Sequence, residues 1–284
     1  PDGYVYIVPA AGYYYDYLNC PMLYEKWTPA QIGNQKFEER DPAILGGMFA
    51  VWNDHAGNGI TVRDIHHRVM PALRTISAKT WTGAAVSVPY AEFARRGAAL
   101  SEAPGVNLLG RLPGIAEGRA TLRCPRPVLL PNAPVDWVGD AVGYDYTVSF
   151  DLEADSVRRG DVLFSSSDAT VYLASPKNGK LAFEREGYLN EFDYVVPAGR
   201  KVRLTFVGTN HETLLFVDGR FRQALYPLTL GSASTDAGLA GASADPYAAS
   251  KMYYQRTLVF PLARTGNFVG RISDLSVSNY AEKY

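Results

Sequence analysis

The chain has 284 residues, 47% of them hydrophobic and 20% charged, with a formal net charge of −1. That is apolar material for one large core or two ordinary ones. Near-neutrality without a basic block argues against a nucleic-acid footprint of clustered Lys and Arg, and no apolar run approaches the roughly 20 residues of a membrane span.

Tyr4-Val5-Tyr6-Ile7-Val8 is a short run of β-branched and aromatic residues, the pattern of a buried parallel strand. A loop from Gly12 to Asn19 follows, carrying Tyr14-Tyr15-Asp16, and then a helical or irregular stretch from Leu23 to Phe37. Ile44 to Val51 reads as the second buried strand, entered through Gly46-Gly47 and ending on Trp52-Asn53-Asp54. An aromatic plate and a carboxylate at a strand end suit a sugar's apolar face and hydroxyls. Beyond the loop Asp54–Ile60 lies the clearest helix. Thr61 is its N-cap, with Asp64 in the place of the capping-box Glu. Val62, Ile65, Val69, Leu73 and Ile76 recur at helical spacing and define one buried face. Pro71 should kink or break this helix near Val69-Met70. His66 and His67 point to different faces, so a shared metal is not expected.

Residues 84 to about 140 are rich in Ala, Gly and Pro and read as a connecting region with a few short strands or turns. From Tyr146 the period becomes two: Tyr146, Val148, Phe150 and Leu152 alternate with polar residues, as in a half-buried strand. Further strands are expected at Val162–Phe164, Val171–Ala174, Leu181–Arg185, Val202–Val207, Leu214–Val217, Thr257–Phe260 and Gly270–Ser278. Asn178-Gly179 and Asp218-Gly219 are hairpin signals, since both dipeptides accept the positive φ of a type I′ turn. Many short strands with such turns mean a sandwich. The Ser/Ala/Gly-rich stretch Gly231–Ser250 reads as a long loop. Cys20 and Cys124 form no disulfide framework or Cys-rich metal site and read as two free, buried thiols.

The first part resembles the last two β/α units of the catalytic (β/α)8 barrel of glycoside hydrolase family 20, the β-N-acetylhexosaminidases and lacto-N-biosidases. The matching pieces are Tyr14-Tyr15-Asp16, Gly46-Gly47 with Trp52-Asn53-Asp54, and Arg68-Val69-Met70-Pro71-Ala72 ending in Lys79-Thr80-Trp81. The resemblance implies substrate-assisted, retaining hydrolysis of terminal β-linked N-acetylhexosamine, an exception to the two-carboxylate scheme. It gives Tyr14 a catalytic role, holding the acetamido oxygen, and makes Asp16, Trp52 and Asp54 substrate-binding residues. The family's Asp-Glu pair has no counterpart here, so an N-terminal segment or another chain would complete the barrel. Asp54 stands where many members carry Glu.

The later part resembles, more weakly, a laminin-G or concanavalin-like jelly roll, through Leu214–Arg220 and Gly270–Leu275. The expected organisation is therefore α/β plus all-β: barrel portion 1–83, connecting region 84–140 and antiparallel sandwich 141–284. The expected function is part of a β-N-acetylhexosaminidase. A lacto-N-biosidase and a non-catalytic glycan-binding sandwich are the alternatives. The glycan is the expected partner, without cofactor, metal, nucleic acid or membrane span, in a secreted, periplasmic or cell-surface setting.

Overall fold

The computed structural model describes residues 4–9, 20–26, 31–32, 35–36, 38, 47–52, 60–82, 87–100, 102–232 and 251–282. The chain divides into two compact units, one of Pro1–Gly57, Ile65–Pro104 and Thr229–Tyr253, the other of Asn58–Asp64, Gly105–Leu228 and Tyr254–Tyr284.

In the first unit β1 (Tyr4–Pro9) pairs in parallel with a strand that spans Gly47–Trp52, in a register running from Tyr4 opposite Gly47 to Pro9 opposite Trp52. These are the two strands read from their apolar runs. The described residues supply this one parallel pair and no closed barrel. Between them the helical stretch is shorter and earlier than expected: α1 covers Cys20–Lys26, and Gln31–Ile32 (β2) pairs with Gln35–Lys36 (β3) as a hairpin. The Gly47–Trp52 strand is accordingly β4.

Helix α2 spans Val62–Thr82 and runs through Pro71 without a break. Its buried positions beyond the first turn are Ala72, Thr75, Ile76 and Lys79. Val62 and Leu73, expected inside, are 68% and 36% exposed. Arg63 and Asp64 are the buried side chains of the first turn, and that turns Val62 outward. Helix α3 (Tyr90–Ala99) was not expected from an Ala/Gly/Pro-rich stretch. Glu92 binds Arg95 and Arg96 at helical spacing, and these bonds take its carboxyl down to about 2. Tyr24 of α1 stacks on Phe93 at 4.5 Å and donates to the Val88 carbonyl at 3.0 Å.

The second unit holds the antiparallel sandwich. Its strands are β5 (Thr121–Arg123), β6 (Val128–Leu129), β7 (Ala141–Val142), β8 (Tyr146–Ser156), β9 (Val162–Ser165) and β10 (Ala169–Tyr172). They continue as β11 (Ala182–Arg185), β12 (Tyr188–Glu191), β13 (Lys201–Gly208), β14 (Thr213–Val217) and β15 (Arg220–Leu225). A separate pair, β16 (Leu228–Ser232) with β17 (Lys251–Tyr254), belongs almost wholly to the first unit and flanks the stretch read as a long loop. The sandwich closes with β18 (Phe260–Pro261), β19 (Arg264–Thr265) and β20 (Val269–Ser278).

One sheet has the order β15-β14-β13-β8-β20-β5, with β6 also on β20; the other has the order β12-β11-β10-β9-β19. The expected jelly-roll sandwich is thus present, and it also takes in residues 121–129 of the region read as a connector.

Alternation decides what is buried. Tyr146, Val148, Phe150, Leu152 and Ala154 of β8 face inward with at most 1% exposure, beside Leu204 and Phe206 of β13. Phe164, Val171 and Phe183 come from the facing sheet, and Phe150 meets Phe164 edge-on at 5.2 Å. Each buried Val, Leu or Phe among them contributes about 1.5–3 kcal/mol by leaving water. Gly208 sits so close to the Tyr146 ring that no Cβ fits there.

Two hairpins show how turns set the register. Asp218 and Gly219 have φ of 50° and 74°, so β14 and β15 join through the expected two-residue turn. Glu186-Gly187, with φ of 50° and 75°, does the same between β11 and β12. Asn178-Gly179 lies in the longer β10–β11 connection, and there Gly179 alone has positive φ.

Candidate functional site

In the five-stranded sheet, Val171, Phe183 and Arg185 point toward the core, so their neighbours along the strands point away from it. That outer face carries Thr170 and Tyr172 on β10, Glu184 on β11, and Leu189 and Glu191 on β12. All five are half-buried. The Tyr172 hydroxyl donates to Glu184 Oε2 at 3.1 Å, and burial together with that carboxylate raises its pKa. Glu191 accepts from the Ser175 hydroxyl at 2.6 Å and from the Asn178 amide at 2.9 Å. Among the described residues, Glu184 and Glu191 form no ion pair.

The outer face of the seven-stranded sheet is built the opposite way. Asp151 lies 2.7 Å from Lys201 and 2.9 Å from Arg203, Glu153 lies 2.6 Å from Arg271, and Asp274 takes both Arg123 and Arg203 at 2.9 Å. Its carboxylates are matched to cations. Those of the five-stranded face are matched to hydroxyl and amide donors, the donor types a carbohydrate presents.

A second constellation is internal. Asp64, 2% exposed, accepts from the Thr61 N–H and hydroxyl at 2.8 Å each, so the N-cap read from the sequence is realised. The same carboxylate accepts from Tyr144 at 2.7 Å and from Arg185 Nη1 at 3.0 Å. Burial opposes the charge on Arg185, but Asp64 and Tyr144 together more than offset it and the pKa is raised. Burial, then Asp64, pushes the Tyr144 hydroxyl far above its ordinary range. Next to Asp64, the Arg63 guanidinium bonds Asp168, Asp140 and the carbonyls of Asn107 and Leu108. All of these groups belong to the sandwich unit. With its hydrogen bonds turned inward, this hub fixes structure rather than offering a surface to a ligand.

Of the site residues expected from the sequence, Tyr14, Asp16 and Asp54 lie outside the described residues. Trp52 ends β4 opposite Pro9. Because β1 and β4 are parallel, the chain leaves Pro9 and Trp52 at the same end of the pair. Among the described residues no group of three His, Cys, Asp or Glu side chains could hold a metal ion, and no helix is long and apolar enough to cross a membrane. Neither Cys20 nor Cys124 forms a disulfide; Cys20 is buried and Cys124 half-buried.

Sequence reasoning did not single out Tyr172, Glu184 or Glu191. The alternation of Thr170-Val171-Tyr172 and Phe183-Glu184-Arg185 carries the signal, since it sets Tyr172 and Glu184 on the face away from Phe183.

No family model matches the chain, and no curated protein does. Solved structures to which part of the chain is similar include domain 4 of AbnA, a GH43 extracellular arabinanase of Geobacillus stearothermophilus in complex with arabinotriose. It is 12% identical, covers 55% of this chain and 84% of its own, and has a TM-score of 0.33. The galectin LEC-6 of Caenorhabditis elegans is 12% identical over 56% of this chain and 94% of its own, with a TM-score of 0.30. The CBM40 of a Ruminococcus gnavus IT-sialidase, bound to α2,3-sialyllactose, is 11% identical over 58% of this chain and 94% of its own, with a TM-score of 0.30. At such scores these likenesses transfer no function.

Proposed function

We propose that the sandwich is a glycan-binding module that works through the outer face of its five-stranded sheet. One observation carries this reading. Glu184 is a half-buried carboxylate whose described partner is the Tyr172 hydroxyl at 3.1 Å, not a cation. A carboxylate has about four lone-pair sites, so Glu184 keeps acceptor capacity for sugar hydroxyls while the Tyr172 ring offers an apolar surface beside it. The test is binding of the protein to an immobilised glycan panel, followed by titration of the best ligand. Tyr172→Ala should weaken binding at least thirtyfold, the loss of about 2 kcal/mol expected at an aromatic hot spot. Its unfolding midpoint should stay within a few degrees. Unchanged affinity would refute the assignment.

A second reading places this module behind the end of a family 20-like hexosaminidase or lacto-N-biosidase barrel. The parallel register of β1 and β4 favours it, because the segments holding Tyr14 and Asp16 and those holding Asn53 and Asp54 then depart from one end of the pair. On this reading Tyr14 supports the charge developing on the acetamido oxygen, and Asp16, Trp52 and Asp54 grip the sugar. The catalytic Asp-Glu pair comes from a preceding segment or second chain, and the enzyme acts on glycans outside the cytoplasm. In the assembled enzyme Tyr14→Phe should lower turnover of a chromogenic β-N-acetylglucosaminide at least tenfold; full turnover would remove Tyr14 from the mechanism.

A further inference from the structure

We infer that the face holding Tyr172 and Glu184 selects neutral glycans and rejects acidic ones carrying sialic acid, uronic acid or sulfate, an inference that rests on the glycan-binding reading above. The register supplies the map. One row across the sheet runs Leu189, Glu184, Thr170, Ser165 and Arg264, and the adjacent row runs Glu191, Ala182 and Tyr172. Two carboxylates therefore stand on the neighbouring strands, Glu184 bonded to the Tyr172 hydroxyl and Glu191 two strand spacings from Tyr172, about 10 Å. Each is held by neutral donors: Tyr172 for Glu184, Ser175 and Asn178 for Glu191. Such donors orient a carboxylate without cancelling its charge. A hydroxyl-rich ligand meets acceptors of the kind the protein's own hydroxyls already use, whereas an anionic substituent meets like charge in a half-buried setting.

Among the described strand residues placed on this face the cation is Arg264, which donates to the Asn132 carbonyl at 3.3 Å, while Arg159 of the β8–β9 connection lies against Gly179. Arg264 lies three strand spacings from Glu184, about 14 Å at ~4.8 Å each. Tyr172, on β10, is two such spacings from it, about 10 Å, and the bond to Asn132 draws the guanidinium toward the edge of β19 away from β9, so it does not offset an acid group bound beside Tyr172. Lys180, on the β10–β11 connection, is committed to Asp193 at 2.9 Å.

The experiment is a panel of neutral mannosides, glucosides, galactosides and N-acetylglucosaminides printed beside their sialylated, glucuronidated and sulfated counterparts. It is probed with the full chain, with Glu184→Gln and with Tyr172→Ala. The expected result is binding to at least one neutral glycan, at least tenfold weaker binding to its acidic counterpart, and a gap that narrows severalfold in Glu184→Gln. Equal or tighter binding of the acidic counterpart overturns the selectivity and leaves the binding face standing. A gap unchanged in Glu184→Gln also overturns it. Failure to bind any glycan, or binding indifferent to Tyr172→Ala, removes the face itself.

Discussion

The buried pair Asp64–Arg185 gives the sharpest test of how the sandwich holds together. Both side chains are 1% exposed and their charged atoms stand 3.0 Å apart. Removing one partner of such a pair strands the other charge in the interior and costs about 3–5 kcal/mol. Asp64→Asn keeps an acceptor for the Thr61 cap, so its loss should report the charge more than the cap, which is worth about 1 kcal/mol. Arg185→Met removes the cation and leaves the Asp64 carboxylate with the Thr61, Tyr144 and Thr257 donors. With an m-value of about 2 kcal/mol/M in urea, a loss of about 4 kcal/mol lowers the midpoint by roughly 2 M. The double variant is the informative arm. Arg185 Nε and Nη2 find no hydrogen-bond partner among the described residues, and a buried donor left so costs about 1–3 kcal/mol. Replacing both charges should therefore return stability to within about 2 kcal/mol of the parent. Urea unfolding of the four proteins, followed by circular dichroism, decides the matter. If the single losses add in the double variant, or if each single stays within about 1 kcal/mol of the parent, the two charges are not coupled in this way.

Four further outcomes follow from other parts of the sandwich. Burial raises the Asp151 carboxyl, but hydrogen bonds from Lys201 and Arg203 outweigh it and hold the pKa below the ordinary 3.8. The stability this contributes is present above pH 3.8 and is lost as pH falls through the lower folded value. Urea midpoints taken downward from pH 5 should therefore fall less steeply in Asp151→Asn than in the parent; parallel curves would refute the pairing. Gly187 has φ of 75° and open space for 4 Å around the position a Cβ would take, so Gly187→Ala should cost only the backbone term. That term is about 1–2 kcal/mol. At Gly208 a Cβ meets the Tyr146 ring instead, and Gly208→Ala should cost about 3 kcal/mol or more in the same assay. Phe206, fully buried between the sheets, should lose about 3–5 kcal/mol as Phe206→Ala.

What could be read in the chain beforehand was local. Thr61 and Asp64 are three residues apart, and Asp218-Gly219 is its own turn, so each signal is complete within one stretch of sequence. The strand beginning at Tyr146 was equally plain because polar and apolar side chains alternate along it. The apolar runs at Tyr4–Val8 and Ile44–Val51 likewise become the strands that pair in parallel. Where a role depends on a partner far along the chain, the local signal misleads. Thr61 and Asp64 are a complete cap between them, and nothing near them announces Arg185, 121 positions on from Asp64. Glu186-Gly187 went unread because Glu seldom takes positive φ, whereas Asn178-Gly179 carries the stronger dipeptide. There Asn178 spends its side chain on Glu191 and on the Lys180 N–H, which closes a longer loop.

The candidate face follows the same physics. Phe183 and Arg185 share one side of β11, and Arg185 is tolerated inside because Asp64 meets it there. With both pinned inward, alternation leaves Glu184 no choice but the outer face, beside Tyr172 on the neighbouring strand. The buried ion pair thus fixes which way the five-stranded sheet presents its acids. Restoring stability in Asp64→Asn/Arg185→Met should then leave glycan binding intact, since the methionine introduced on β11 still points inward by its apolar character. A stable double variant that lost binding would mean that the hub contacts the ligand rather than setting the register.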